Sequence, residues 1–434
     1  MKPLIIKPAG DLCGTVRLPG DKSISHRAAM CAALSAGTTR ITNFLFSEDS
    51  AATLGVLEAL GVEVARDPRR ARVTIRSAGI LRAPRETLRM GESGTSARLL
   101  MGLLAAQPFA SRMDGAASLR RRPMGRVIMP LRRMGASLEG RRRGEEEYLP
   151  VRIVPAPLKG ITWRQRVASA QVKSAVLFAG LGAAGATRVV EPVASRDHTE
   201  RMMRLFGARL RHGAGVIDLR PSRLATPGHV AVPGDFSSAA FFIVAALLVP
   251  GARLLIKDVN LNPTRTGALD VLKRMGARLR VIRRAAGYEP AGDLEVRYSR
   301  LRSTQIAADE VPRLIDELPV LMVAAGLARG TTVIRGVGEL RVKETDRTRS
   351  MGMNLTKLGV RLTVKGQGKR EDIAITGTDA FPGASFHSFG DHRTAMSCFV
   401  AGLAGQGSSR LDDTTCIRKS FPGFLQTMEH LLVR

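Results

Sequence analysis

The chain has 434 residues, too many for one compact core, so we expect two domains. Its 44% hydrophobic and 24% charged residues are ordinary for a globular protein, and no uncharged apolar run reaches the ~18 residues of a membrane span. Four scattered cysteines form no C-x-x-C pair, and seven histidines show no ligand spacing, which argues against a zinc framework and favours a reducing compartment. The N-terminal apolar run of three residues is too short for a signal peptide. We therefore expect a cytoplasmic protein with no membrane partner.

The formal net charge is +29, which has two interpretations. A nucleic-acid-binding protein would carry such a charge, but it would also need stacking aromatics, and only 4% of the residues are aromatic. The arginines are also spread along the chain rather than concentrated in one stripe or tail. We therefore favour a small anionic substrate on an arginine-rich protein and expect no nucleic-acid partner.

The first conspicuous element is a cationic helix start at residues 18–27. A Pro-Gly turn ends an extended segment, Asp21 offers an N-cap carboxylate, and a small, apolar helix follows as far as Gly37. Lys22, Ser23 and Arg27 fall in its first turn and a half. A helix N-terminus is already partly positive, so added cations there predict a bound anion.

Two short patterns then alternate along the chain. The first is apolar-x-x-apolar-Gly-x-x-apolar, which is typical of a helix that ends at a glycine and leads into a strand. Its glycines are Gly61, Gly135, Gly207, Gly276 and Gly359, at intervals of 74, 72, 69 and 83 residues. The second is an Ala/Leu-rich helix, a Gly turn and a β-branched strand. It is centred on Gly37, Gly185, Gly251, Gly330 and Gly407, with a looser copy at Pro108.

The alternation predicts six units of about 70 residues, each with two helices and several strands. The buried type of helix begins each time with a polar signature. These signatures are Asp21–Arg27, Gly94–Arg98, Ser169–Ser174, Asp235–Ser238, Ile315–Leu318 and Asp391–Arg393. In a pseudo-symmetric assembly, six such N-termini would face one positively charged cleft.

A domain boundary follows from a second Pro-Gly-Asp turn. The turn before Asp21 has a twin at 232–235, so we expect one domain over residues 19–233 and another over 234–434 together with strand 1–18. The charged segment 138–151 is predicted to be a solvated surface loop.

Eight motifs, in order, resemble the family of 3-phosphoshikimate 1-carboxyvinyltransferases, or EPSP synthases, in its class II bacterial branch. They are LPGDKSISHRA at 18–28, GESGTSARLL at 91–100, RRPMGR at 121–126, SAQVKSA at 169–175, SRDHTE at 195–200, RVKETDR at 341–347, DHRTAMS at 391–397 and KSFPGF at 419–424. The resemblance implies an α/β (α+β) fold of two domains, each of three βαβαββ units, with the active site in the interdomain cleft.

The resemblance also implies the reaction, the transfer of the enolpyruvyl group of phosphoenolpyruvate to the 5-hydroxyl of 3-phosphoshikimate with release of phosphate. This step belongs to the shikimate pathway, which leads to chorismate and the aromatic amino acids. No metal or organic cofactor is implied, and we expect a monomer. The residues that would surround phosphoenolpyruvate are Lys22, Gly94, Arg122, Gln171, Arg347, Arg393 and Lys419. Those that would surround 3-phosphoshikimate are Ser23, Arg27, Ser169, Gln171, Arg196, Asp316 and Lys343.

Two carboxyls are the candidates for proton transfer. Asp316 would accept the hydroxyl proton, while Glu344, with Lys22, would handle protonation of the methylene carbon and the departing phosphate. Only the motif favours Asp316 over its neighbour Glu317, and Asp316 could instead be a helix N-cap. Lys343 and Arg347, four residues apart, are predicted to share one helix face.

One residue departs from the family pattern. Glu92 stands where the family's turn has Asn, and an ionised carboxylate would repel phosphoenolpyruvate. Glu92 turns away, is neutralised by a nearby arginine, or weakens binding. Glyphosate is the family's inhibitor, and the glycine at Gly94 predicts sensitivity, although Glu92 leaves this open.

Three alternatives are weighed against this family. UDP-N-acetylglucosamine 1-carboxyvinyltransferase needs a cysteine in a Pro-Gly-Gly-Cys loop, which this sequence lacks. RNA 3′-phosphate cyclase needs a nucleophilic histidine near the C-terminus, where His430 has no motif context. A basic RNA-binding protein without catalytic activity would bind RNA in a salt-dependent way and release no phosphate.

Overall fold

A computed structural model describes residues 3–433, which form two compact units. The inserted unit is Pro19–Val232, and the terminal unit combines Met1–Leu18 with Pro233–Arg434. The chain passes from one unit to the other after Leu18 and after Val232. At the first passage, a Cβ on Gly20 would lie 1.7 Å from the carbonyl oxygen of Asn43, so only glycine fits this turn.

Twelve α-helices lie within the described residues. They are α1 Lys22–Ala33, α2 Glu48–Ala59, α3 Gly94–Ala105, α4 Gly125–Arg133, α5 Ala170–Gly180, α6 His198–Leu205, α7 Phe236–Leu248, α8 Gly267–Arg274, α9 Leu318–Gly326, α10 Arg347–Thr356, α11 His392–Leu403 and α12 Phe424–Glu429. The odd-numbered helices are buried almost all round, whereas the even-numbered helices bury one face. Short 3₁₀ turns occur at Pro68–Arg70, Leu119–Arg121, Val311–Arg313, Gly338–Val342, Gly368–Arg370 and Thr415–Lys419.

The strands are short. They are β1 Leu4–Ile6, β2 Asp11–Arg17, β3 Ser35–Thr42, β4 Glu63–Asp67, β5 Arg72–Ala78, β6 Leu88–Arg89, β7 Ser111–Asp114, β8 Ser137–Arg143, β9 Glu146–Val154, β10 Thr162–Arg164, β11 Thr187–Val190, β12 Leu210–Gly213, β13 Val216–Leu219, β14 Leu224–Ala225, β15 His229–Ala231, β16 Arg253–Asn260, β17 Arg278–Ala285, β18 Ala291–Arg297, β19 Gln305–Ile306, β20 Thr331–Ile334, β21 Arg361–Lys365, β22 Asp372–Thr376, β23 Ser385–Phe386, β24 Ser409–Leu411 and β25 Leu432–Val433.

Over the described part of the chain, each unit has three sheets. In the inserted unit the strand orders are β14-β3-β5-β4 with β15 beside β3, β6-β7-β9-β8, and β10-β11-β13-β12. In the terminal unit they are β17-β18-β16-β2-β25, β19-β20-β22-β21, and β1-β24-β23. The chain order β10-α5-β11-α6-β12-β13 is one complete βαβαββ copy, in which β10 and β11 are parallel and the later pairs are antiparallel. A buried helix connects the parallel pair, as a parallel crossover requires. The predicted fold class is confirmed.

The glycine-ended helices are present where the pattern predicted them. Gly61, Gly135, Gly207, Gly276 and Gly359 each have a positive φ, between +78° and +97°. A residue with a Cβ is strained in this conformation, which is why the repeat keeps glycine at the helix end. Five of the six buried helices also begin at a side-chain cap, namely Asp21, Ser93, Ser169, Asp235 and Asp391.

One predicted loop is wrong. Residues 138–151 belong to the antiparallel hairpin of β8 and β9. Gly144, with a φ of +61°, lies at the turn, and Glu147 is buried, with a carboxylate oxygen 3.0 Å from Arg132 Nη2. The runs of like charge hid the alternation of the strands, because long arginine side chains on an exposed strand are as well solvated as in a loop. In the part of the chain that the structure describes, no helix combines the length and apolarity needed to cross a bilayer.

Candidate active site

The predicted site residues form two clusters, one in each unit. The first cluster lies around the N-terminal ends of α1, α3 and α5 in the inserted unit, with Arg122 after the 3₁₀ turn Leu119–Arg121 and Arg196 just before α6. It comprises Lys22, Ser23, Arg27, Gly94, Arg122, Ser169, Gln171 and Arg196. The second cluster lies around the starts of α9, α10 and α11 in the terminal unit and comprises Asp316, Lys343, Glu344, Arg347, Arg393 and Lys419.

Lys22 is the first residue of α1, directly after the Asp21 cap. The Asp21 carboxylate accepts the Ile24 N–H at 3.0 Å, which fixes where the helix begins. Lys22 Nζ donates to Asp49 Oδ2 at 2.9 Å, and both side chains are about 85% buried. The lysine is therefore held at the helix N-terminus by a carboxylate from the start of α2.

Arg27 is buried one turn further along α1. Its Nη1 donates to the carbonyl oxygen of Ser23 at 2.9 Å, Nε donates to Thr199 Oγ1 at 2.6 Å, and Nη2 donates to Ser174 Oγ at 2.9 Å. Burial lowers the pKa of Arg27 to about 10, Glu200 and Asp21 oppose this shift, and the nearby charge of Arg196 adds to it. Two predicted site arginines thus lie close enough to repel each other, which favours an anion beside them.

Gly94, the first residue of α3, lies against two guanidinium groups. A Cβ at this position would be 2.7 Å from Arg122 Nη1 and 3.1 Å from Arg98 Nη1. Arg98 also donates to Gln171 Oε1 at 2.8 Å and to the carbonyl oxygen of Pro123 at 3.2 Å. Because arginine has no acceptor, the atom of Gln171 that faces it must be the oxygen. The amide nitrogen of Gln171 then donates to Thr95 Oγ1 at 3.2 Å.

Ser169 is the N-cap of α5, where its Oγ accepts the Val172 N–H. Its own N–H donates to Gln165 Oε1 at 3.0 Å.

Glu92, the departure from the family pattern, accepts a hydrogen bond from Ser118 Oγ at 2.8 Å. This contact gives the carboxylate a partner in the segment that follows β7.

In the second cluster, Arg347 and Asp391 form a buried pair. Arg347 Nε donates to Asp391 Oδ2 at 2.8 Å, and Nη2 donates to Glu344 Oε2 at 2.5 Å. Burial lowers the pKa of Arg347, but Asp391, Glu344 and Asp316 outweigh it and raise that pKa above its ordinary value. Burial has the opposite effect on a carboxyl group and raises the pKa of Asp391. The charge of Arg347 outweighs this effect and brings the pKa of Asp391 below its usual value.

Asp316 faces three arginines. Its carboxylate oxygens lie 3.3 Å from Arg347 Nη1, 3.6 Å from Arg393 Nη2 and 3.8 Å from Arg265 Nη1. Arg393 Nη1 also donates to the Asp316 carbonyl oxygen at 2.8 Å. Asp316 is not a helix cap, because α9 begins after Glu317 without a side-chain cap. The side chain of Asp316 is 15% exposed, whereas that of Glu317 is fully buried against Arg265, so of the two only Asp316 has a solvent-accessible carboxylate.

The prediction that Lys343 and Arg347 share a helix face is wrong. The Asp346 carboxylate accepts the Arg349 N–H at 2.9 Å, so α10 begins at Arg347. Lys343 lies before this helix in an extended conformation, with φ −80° and ψ −156°. Lys419 ends the 3₁₀ turn Thr415–Lys419 and donates to the carbonyl oxygen of Gly390 at 3.2 Å, next to the α11 cap.

Three buried or half-buried cations were not predicted as site residues. Arg98 contacts Gln171, Arg265 lies near Asp316, and Lys173 is fully buried between two glutamates. Arg98 lies in the motif at 91–100 and Lys173 in the motif at 169–175, so the sequence could have indicated both as site residues. Arg265 lies in no repeated pattern, and its partners are 28 to 52 residues away along the chain.

Among residues 3–433, one group of side chains has the geometry of a metal site. Ligand atoms of Glu191, Glu200 and His212 all lie within 4.8 Å of one another. Lys173 Nζ lies 2.8 Å from a Glu191 oxygen and 2.7 Å from a Glu200 oxygen. An ammonium group therefore already lies between the two carboxylates, in the place that a metal cation would take.

Comparison with known proteins decides the family. The family model described as EPSP synthase (3-phosphoshikimate 1-carboxyvinyltransferase) matches residues 6–428. The chain belongs to the EPSP synthase family. The family and the enzyme class predicted from the motifs are confirmed.

Individual relatives agree with the EPSP synthase family along the whole chain. The 3-phosphoshikimate 1-carboxyvinyltransferase of Geotalea uraniireducens is 48% identical over 434 residues and covers 100% of both chains. That of Geobacter sulfurreducens is 49% identical over 428 residues and covers 98% of both. The solved structure of EPSP synthase from Acinetobacter baumannii superposes with a TM-score of 0.86 at 42% identity, covering 99% of this chain and 98% of that one.

Proposed function

We propose that the two clusters together bind phosphoenolpyruvate and 3-phosphoshikimate and that this chain transfers the enolpyruvyl group to the 5-hydroxyl of the latter. The substrates bring two phosphates and two carboxylates, so their recognition needs several cations placed as donors. The observation that carries the proposal is the second cluster, in which three guanidinium groups converge on the carboxylate of Asp316.

Phosphoenolpyruvate would be bound by Lys22, Arg122, Gln171, Arg347, Arg393 and Lys419, with its anionic groups close to Gly94. Supporting this, Arg122 lies against Gly94, and a side chain there would meet the guanidinium. The N-terminus of α3 begins at the same glycine, and its free N–H groups favour an anion.

The phosphate and hydroxyls of 3-phosphoshikimate would be bound by Ser23, Arg27, Ser169, Gln171, Arg196 and Lys343. Arg27 and Arg196 are near neighbours, so a phosphate between them would relieve their mutual repulsion. The Gln171 amide, oriented by Arg98, belongs to both substrate sets and would fix one substrate relative to the other.

The chemical step is an addition followed by an elimination. The 5-hydroxyl oxygen bonds to C2 of phosphoenolpyruvate, its proton passes to Asp316, and Glu344 with Lys22 supplies a proton to the methylene carbon. The adduct then gives one methyl proton back to Glu344 and loses phosphate, which takes the proton held by Asp316, so the carbon–carbon double bond is restored and both carboxyls regain their starting states. The Asp316 carboxylate accepts a hydrogen bond from Arg347 Nη1 at 3.3 Å, which is the acceptor state that a general base needs.

Two coarser proposals concern the protein's state. It acts as a monomer, and light scattering of the purified protein would test this. It works in the cytoplasm, which is supported by four cysteines that are present as thiols within residues 3–433.

The test is phosphate release from the full chain incubated with both substrates, alongside Asp316→Asn and the exposed control Asp309→Asn. Phosphate release should require both substrates, fall roughly 10²- to 10⁴-fold in Asp316→Asn and stay unchanged in the control. Equal turnover by Asp316→Asn and the unmodified protein would overturn the assigned base. No release with both substrates present would overturn the function.

A further inference from the structure

A buried ionic cluster lies behind the first cluster and has no part in the function proposed so far. Lys173 of α5 contacts Glu191, which directly follows β11, and Glu200 of α6, at 2.8 and 2.7 Å. All three side chains have no solvent exposure. Burial lowers the pKa of Lys173, but Glu200 and Glu191 outweigh it and raise that pKa above its ordinary value, so the lysine stays an ammonium.

The cluster holds the segment that carries Arg196. Glu191 Oε1 accepts the N–H of Ser195 at 3.3 Å and also a short hydrogen bond from Ser195 Oγ. Lys173 Nζ donates to the carbonyl oxygen of Ser195 at 3.4 Å. Every polar group of Ser195, the residue before Arg196, is therefore bound to this cluster.

Residues next to the cluster in the sequence hold Arg27. Ser174, next to Lys173, and Thr199, next to Glu200, both accept hydrogen bonds from the Arg27 guanidinium. Their hydroxyls are also 2.6 Å apart, which ties α5 to α6. The Glu200 charge raises the pKa of Arg27 against the effect of burial.

The charges of this group balance. Lys173 and Arg27 are cations, and Glu191 and Glu200 are anions, so the two cationic groups are offset by two carboxylates. A buried ionic group of this kind adds little net stability compared with well-packed apolar residues. Its effect on geometry is larger, because the Lys173 ammonium links α5 to α6 and to the segment between β11 and α6. These elements carry Arg196 and the hydroxyl groups that bind Arg27.

We propose that Lys173, together with Glu191 and Glu200, is the positioning centre that holds Arg27 and Arg196 for the phosphate of 3-phosphoshikimate. The proposal rests on the function proposed above, in which these two arginines bind that substrate. Lys173 touches no substrate in this account and acts only through the two arginines.

The test uses the full chain and a charge-balanced variant, Lys173→Met/Glu191→Gln. It removes one charge of each sign and keeps an acceptor for Ser195. We expect the KM for 3-phosphoshikimate to rise roughly 10- to 100-fold, because loss of positioning on the scale of 1 Å has effects of this size. The kcat and the KM for phosphoenolpyruvate should change less than about threefold.

A matched control removes an exposed ion pair from the same sheet, Arg188→Met/Asp218→Asn, where the side chains are 54% and 39% exposed. It should leave all three constants unchanged. If circular dichroism shows that the charge-balanced variant does not fold, Lys173→Arg replaces it. This variant should raise the KM for 3-phosphoshikimate by a smaller factor, since the positive charge remains but a planar guanidinium replaces the compact ammonium group.

The variant Arg27→Met distinguishes a failure of the positioning proposal from a failure of the proposed substrate-binding role of Arg27. If Arg27→Met raises the KM for 3-phosphoshikimate and the folded cluster variant does not, the positioning proposal is wrong. If Arg27→Met has no effect on that KM, the assignment of Arg27 in the proposed function is wrong. A cluster variant that raises both KM values equally would also contradict a positioning role specific to 3-phosphoshikimate.

Discussion

Arg347 Nε and Asp391 Oδ2 lie 2.8 Å apart, and both side chains are at most 1% exposed. Asp391 is also the N-cap of α11, where it accepts the Arg393 N–H at 2.7 Å. One carboxylate therefore fixes two arginines of the second cluster, Arg347 through its side chain and Arg393 through the start of its helix.

This relationship predicts that Arg347→Met lowers the free energy of unfolding by about 3–5 kcal/mol, because Asp391 would be left as an unpaired buried charge. Urea unfolding at neutral pH measures it. The control is Arg349→Met, an exposed arginine on the same helix, which should change the free energy by less than about 0.5 kcal/mol. A loss of under 1 kcal/mol in Arg347→Met would show that Asp391 is solvated or paired without Arg347.

The Glu92 carboxylate predicts a weakened affinity for phosphoenolpyruvate. Glu92→Asn removes a negative charge near the proposed binding site, so the apparent KM should fall roughly two- to fivefold. Steady-state kinetics with saturating 3-phosphoshikimate measures it. An unchanged or higher value would mean that the carboxylate is harmless in its bond with Ser118.

Ser118→Ala tests that bond separately. Without the hydroxyl donor, the Glu92 carboxylate loses one of the contacts that hold it, and the KM for phosphoenolpyruvate should rise in the otherwise unmodified protein. In the Glu92→Asn background the same change should have little effect. Additive effects of the two substitutions would show that Ser118 does not act through Glu92.

Gly94→Ala should raise the KM for phosphoenolpyruvate, since the new Cβ would lie 2.7 Å from Arg122 Nη1 and displace that guanidinium. The family resemblance adds that glyphosate inhibition should weaken in the same variant. Gly55→Ala is the control, because Gly55 lies within α2 with no atom near its Cβ position. It should stabilise the fold by about 0.5–1 kcal/mol and leave the kinetics unchanged. Equal kinetics for Gly94→Ala and the unmodified protein would contradict the close approach of Arg122.

His26 predicts a pH-dependent stability. Burial, with the charges of Lys22 and Arg27, brings the pKa of His26 well below its usual 6.5. The unfolded chain therefore binds a proton that the folded chain does not, and stability falls as the pH drops below about 6.5, by up to about 1.4 kcal/mol per pH unit. Urea unfolding between pH 8 and 5 measures the slope.

His26→Asn should flatten this slope. Thr53→Val is the comparison, because it removes the partner 2.7 Å from His26 Nδ1 but leaves the imidazole in place. It should lower the stability at every pH and retain the slope. A His26→Asn variant with the full slope would assign the pH dependence to other groups.

Much of this protein was predictable because its information is local. Helix ends such as Gly207, with a φ of +79°, need a residue without a Cβ, and the same need recurs in each copy of the unit. The caps at Asp21 and Asp391 are likewise set by residues three positions apart. Two predictions from local sequence were wrong. In the β8–β9 hairpin, the run of charged residues concealed the alternation of a strand. At α10, the cap at Asp346 makes the helix begin later than the motif suggested.

The sequence by itself determined the repeat, the fold class, the family and the set of cationic motif residues, since each depends on spacing along the chain. Only the tertiary structure decided which charges meet. Lys173 meets a glutamate 18 residues away, Arg98 meets Gln171 from 73 residues away, and Asp316 rather than Glu317 keeps an accessible carboxylate. The physical reason is that the strength of a charge pair depends on how deeply its groups are buried and how far apart they lie. Both quantities are set when the helices pack, and the spacing of residues along the chain does not reveal them.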